Sequence, residues 1–181
     1  MATIFSKQIG LLTQNERFDD WWRSEEIEIP FFDKAKLAIT FTKFEPEKDL
    51  KFIQDADNAI LNFLKLTSLD RLKISDLILK NYFDFLEAVG DDEEFKLNID
   101  KQDQIWDFVH PNDIYVSRRP YNDKDIYVQI SCNCDWEEEH GLQLVFRQGR
   151  QITRVSGIDG HLTEADAYDK PDSEDELLSR F

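Results

Sequence analysis

The feature that most constrains this chain is a change of hydrophobic period, from two residues to between three and four and back to two. Glu26-Ile27-Glu28-Ile29-Pro30 alternates acidic and apolar residues, and Lys36-Leu37-Ala38-Ile39-Thr40-Phe41 alternates again. With the short link between them, this predicts a β-hairpin over about 26–42. Phe18, Trp21 and Trp22 form an aromatic cluster expected to pack on it. From Pro46 to Leu66 the spacing changes. Ile53, Ala56, Ile60, Phe63 and Leu64 recur every three or four residues and mark one face of a helix. A second helix is expected from Ser68 or Ser75 to Val89, with Gly90 as its stop. The charged stretch 91–94 reads as a solvated loop.

Alternation returns after residue 103. Ile114, Val116 and Arg118 share one strand face, and Ile126, Val128, Ile130, Cys132 and Cys134 share another. Residues 119–124 supply turn chemistry between these two strands. Leu142, Leu144 and Phe146 open a third strand, Gln148-Gly149 reads as a tight turn, and Ile152 and Val155 lie on the return. The expected fold is α+β: an N-terminal β-hairpin, two packed helices, an antiparallel meander of about four strands, and an acidic C-terminal tail. Residues 1–158 read as a single α+β domain. Residues 159–181 read as an acidic tail, partly ordered, with Leu177, Leu178 and Phe181 as its apolar anchors.

Charge narrows the classes of partner. There are 38 acids against 22 bases, a net charge of −16. Such a field repels nucleic acid and anionic lipid and draws in cationic proteins. The tail alone carries eight acids and two bases. With 41% hydrophobic residues, 14 Phe and 4 Trp, the chain has enough apolar material for a core. No apolar run reaches membrane-spanning length, and the first residues lack the basic-then-apolar pattern of a secretory signal. Two cysteines give no disulfide framework. These features point to a cytoplasmic protein.

Residues 132–141 hold the densest set of reactive side chains: Cys132, Cys134, Trp136, Glu137, Glu138, Glu139 and His140, with His161 downstream. Cys132, Cys134, His140 and His161 are the right residue types for zinc. The single residue between the cysteines is poor knuckle spacing, however, and the strand pattern puts both thiols on the apolar face. Neighbouring acids disfavour a thiolate nucleophile. The glutamates with His140 and His161 could do acid–base work in a tuned pocket. With Gln148-Gly149 as the turn, Arg147 would face Arg150, Val145 would face Ile152, and Gln143 would face Arg154. That register gathers three arginines on one sheet face, to be neutralised by nearby acids or offered to a partner. No glycine-rich phosphate loop and no nucleophile elbow is present. No catalytic residue and no cofactor is assigned.

Trp136-Glu137-Glu138-Glu139-His140-Gly141-Leu142, followed by Phe146-Arg147-Gln148-Gly149 and Asp159-Gly160-His161, resembles an uncharacterised bacterial domain family. That family carries a tryptophan-acid-x-Glu-His-Gly-Leu signature before a β-hairpin. The resemblance extends over about residues 18–168 and implies no activity. Small acidic domains of this kind resemble immunity proteins, an association by type. The leading expectation is therefore a stoichiometric protein-binding domain, an immunity protein that neutralises a basic toxin such as a nuclease. Trp136, Glu137, Glu138, Glu139, His140, Arg147, Arg150 and Arg154 are its candidate contact residues. The alternatives are a metal-dependent or acid–base enzyme using His140 and His161, and a scaffold domain without a catalytic role.

Overall fold

A computed structural model describes residues 2–90 and 92–180, so the expectations for Asp91 and Phe181 fall outside it. The strands are β1 (Thr3–Ser6), β2 (Gly10–Gln14), β3 (Trp22–Ile29), β4 (Ala35–Phe41), β5 (Val109–Arg118), β6 (Ile126–Cys134), β7 (Leu142–Arg147) and β8 (Gln151–Ser156). They form one sheet in the order β1 to β8. Every neighbouring pair is antiparallel except β4 with β5, which is parallel. Helices α1 (Phe52–Phe63), α2 (Ser68–Leu72) and α3 (Ser75–Ala88) lie in the connection from β4 to β5, and α4 (Glu164–Tyr168) follows β8.

This corrects the expected architecture. The sheet is mixed and has eight strands rather than about four, and the hairpin at 26–42 is part of it rather than a separate layer. Two causes are physical. β1 and β2 are four and five residues long, too short for a clear alternation. The parallel seam needs a long crossover, which the helical connection provides, and periodicity does not encode which strands meet across such a gap.

The sheet's two faces differ. On one face, the row Trp22, Phe41, Val116, Val128, Phe146 and Ile152 crosses from β3 to β8. These side chains meet the apolar stripes of the helices. The Phe41 and Phe52 rings are 5.3 Å apart, those of Phe63 and Phe146 5.6 Å, and Phe31 sits edge-on to Trp106 and Phe146. Each large side chain buried here is worth roughly 1.5–3 kcal/mol. The other face carries a row across all eight strands: Thr3, Thr13, Arg23, Thr40, Tyr115, Gln129, Val145 and Arg154. Residues 159–180 cover its β6–β8 end, where Leu162 packs with Tyr127 and Val145. The end formed by β1–β5 stays open.

Adjacent strand residues point to opposite faces, and this splits the Trp21-Trp22 pair. Trp22 enters the core and donates its indole N–H to Phe44 O (3.1 Å). Trp21 stays on the open face with Phe18 and Tyr115, ring centroids 5.1 and 5.8 Å away.

The β7–β8 hairpin corrects the predicted register. Arg147 pairs with Gln151, so residues 148–150 form the link, with Gln148 and Gly149 at φ 50° and 66°. The pairing then shifts, because Phe146 faces Ile152 but Val145 faces Arg154. Thr153 is the extra residue, as in a β-bulge. It returns Ile152 to the core face beside Phe146. A Cβ on Gly149 would lie 2.0 Å from Ala59 O of α1, so only glycine lets the turn rest on that helix.

Candidate functional site

The segment 132–141 is built around a buried indole. Cys132 and Cys134 continue the core face of β6, and both are buried and free. Burial pushes both thiols up, Cys134 to about 11, so neither is a nucleophile at neutral pH. Trp136 is 1% exposed, packs edge-on to Tyr82 and donates its N–H to Asn81 Oδ1 (3.3 Å). Glu137 turns back on the loop and accepts the backbone N–H groups of Glu139 (3.0 Å) and His140 (3.3 Å). Gly141 has φ 62°, and a Cβ there would sit 2.6 Å from Cys132 O. The Trp-acid-x-Glu-His-Gly pattern is thus the chemistry of a tight, anchored loop. It presents Glu138, Glu139 and His140 to solvent.

The two histidines do not share a cavity. His140 Nδ1 lies 3.4 Å from Glu137 Oε2. His161 borders a recess of about 490 Å³ with Lys43, Tyr121, Asn122 and Asp166, and His140 is not part of that lining. Among the described residues, no group of three or more His, Cys, Asp or Glu side chains converges as a metal site. A third histidine, His110, meets Asp135 at 2.7 Å on the exposed rim of β5 and β6.

The arginines expected to share one face are separated. Arg150 sits at the hairpin tip, where it donates to Gln148 Oε1. Arg147 is half-buried and meets Asp125 at 2.7 Å. Arg154 is buried between Asp159 and Glu164, and its Nε–H has no acceptor among the described residues. The most heavily paired cation is one the sequence analysis did not single out, Arg119. It is 1% exposed and meets Asp123 (2.8 Å), Asp166 (2.7 Å) and Asp172 (2.7 Å). Burial opposes its charge, but the hydrogen bonds it donates to Asp172, Asp166 and Asp123 outweigh that and raise its pKa. In return, the Arg119 hydrogen bond holds the Asp172 carboxyl below the usual carboxylate range. Tyr127 also donates to Asp123 (2.8 Å). Arg119 and Arg154 therefore clamp the acidic end of the chain to the sheet. The available signal was a surplus of tail carboxylates opposite strand arginines, which composition alone could not pair.

The acids that are not used in this way gather elsewhere. A recess of about 580 Å³ lies beside Trp22, lined by Gln14, Asp19, Asp20, Glu45, Pro46 and Glu47, with Ala2. It has no basic side chain in its lining. Glu45 meets Lys48 (2.7 Å) outside it, while Asp19, Asp20 and Glu47 pair with no basic side chain among the described residues. Two hydrogen bonds brace its rim: the Gln14 side-chain amide donates to Asp19 O (2.7 Å), and the Phe44 backbone N–H donates to Asp20 O (3.1 Å).

A family model described as a domain of unknown function (DUF6985) matches residues 8–162. The chain belongs to this family. No curated protein and no solved structure matches it. The matched span holds the anchored loop, Arg119, Arg147, Arg154 and the four acids of the recess. The clamping residues Asp166 and Asp172 follow it. Among the described residues, no helix is long and apolar enough to cross a membrane.

Proposed function

We propose that the chain is a stoichiometric binding domain for a basic protein, and that the recess beside Trp22 receives a lysine or arginine of that partner. The observation that carries this reading is the recess itself. Asp19, Asp20, Glu45 and Glu47 line one recess without a basic lining residue. A cation entering there gains charge-assisted hydrogen bonds. The solvent-facing Glu138 and Glu139 extend the field that steers such a partner. The finer form of the proposal is an immunity protein that neutralises a basic toxin such as a nuclease, acting in the cytoplasm. It rests on the net charge of −16 and on the likeness to small acidic domains. The rival enzyme reading needs His140 and His161 to act together, and they line no common cavity described above.

The test is calorimetric titration of the full chain with basic nuclease domains encoded next to its own gene. One-to-one binding is expected, with an association rate that falls steeply as salt rises. Asp19→Asn/Glu45→Gln/Glu47→Gln should bind at least tenfold more weakly at unchanged Tm. Failure to bind any such domain, or binding indifferent to both salt and these substitutions, would overturn the proposal.

A further inference from the structure

β8 is the last strand of the sheet and pairs only with β7. An edge strand presents a row of outward N–H and C=O groups, which proteins cover, shorten or offer to a partner. Among the described residues, no backbone–backbone hydrogen bond besides the β7 ladder reaches residues 151–157. The first half of the edge is covered. Thr153 Oγ1 donates to Leu162 O (3.0 Å), and Arg154 is buried against Glu164 of α4. The second half is not. Val155, Ser156 and Gly157 are half-buried and line a groove of about 630 Å³. Leu77, Lys80 and Asn81 of α3 form one wall, and Tyr168, Lys170 and Leu177 of the chain's end form the other.

We infer that this groove takes an extended peptide segment from a partner protein, which adds to β8 as a ninth strand. Three observations select that occupant. The groove has a wall on each side of the strand edge, which admits a lone extended segment and excludes the edge of a second folded copy. Leu77, Val155 and Leu177 offer apolar contacts for side chains that alternate along such a segment. Finally, the lining balances its charges: Lys80, Arg154, Lys170 and Arg180 stand with Asp84, Glu164, Glu174 and Glu176. A segment of mixed charge is therefore not repelled, as an acidic one would be at the Trp22 recess. Residues 155–157 set the length: at about 3.3 Å per residue, the open edge pairs with about three residues of the guest. The inference is independent of the Trp22 recess.

The experiment pans a linear peptide display library against the full chain and takes the tightest binder forward as a synthetic peptide. Strand addition makes the guest's backbone the recognised group. A single N-methyl group at every second residue should then weaken binding at least tenfold, while the residues between tolerate it. Amide exchange at residues 155–157 should slow at least tenfold on binding, and Leu177→Arg should abolish it. Three results would each overturn the inference: a flat N-methyl scan, protection confined to residues outside 151–157, or a library that yields no binder.

Discussion

Arg23 on β3 and Arg154 on β8 stand in the same row of the sheet, yet their surroundings are opposite. The Arg23 side chain is half exposed and reaches Asp113 (2.8 Å) and Thr40 (3.3 Å) from an open face. Arg154 is 4% exposed between two carboxylates brought from beyond the sheet. One face thus has an open half, with Phe18, Trp21 and Tyr115 beside Arg23, and a covered half closed by the chain's own acidic end. The difference divides the chain's carboxylates by role. Asp159, Glu164, Asp166 and Asp172 hold structure together, while Asp19, Asp20 and Glu47 beside Trp22 pair with no basic side chain among the described residues.

The sharpest way to break this comparison is to remove Arg119 from the covered half. Arg119→Ala leaves Asp123, Asp166 and Asp172 facing one another, and stability should fall by about 3 kcal/mol, the lower end for a broken buried pair because the outer carboxylates are partly hydrated. Chemical denaturation measures it, and a loss under 1 kcal/mol would show that the clamp is dispensable. Next is Gly149→Ala at the hairpin tip, which meets α1 backbone at a positive φ. A loss of about 2–4 kcal/mol in the same assay is expected. Acidification separates the halves more gently. Asp172 is depressed in the folded state, so its contribution is present above the unfolded carboxylate pKa of about 3.9 and is lost as pH falls through the lower folded value. Melting curves for Asp172→Asn should be flatter between about pH 4 and pH 2 than those of the parent, and identical slopes would remove Asp172 from the clamp. The smallest effect belongs to the open half. Arg23→Ala should change stability by under about 1 kcal/mol, because its ion pair is solvated. A larger loss would mean the open face is structurally committed after all.

How much of this was legible in the sequence follows from range. Contacts within a few residues were readable. The stripes of α1 and α3, the alternation of β5 to β7, and the placement of Cys132 and Cys134 on a core face all follow from spacing. Trp136 looked like a contact residue and is a core anchor, because only the fold brings Asn81 and Tyr82 to it. The β7–β8 register failed twice, at a link of three residues rather than two and at Thr153, since neither an added turn residue nor a bulge leaves a compositional mark. The Arg119 clamp and the acidic recess were invisible for the same reason. Each joins residues far apart in the chain, as Arg119 joins Asp172 and Asp19 joins Glu47, and no local pattern links them.

The parallel seam between β4 and β5 has a consequence for how this molecule comes into being. During synthesis β1 to β4 are made before β5, so until then the β4 edge has no neighbour. That edge waits while residues 42–108 are made, because only β5 can close it. A pairing so distant in sequence raises the contact order of the fold, which slows folding.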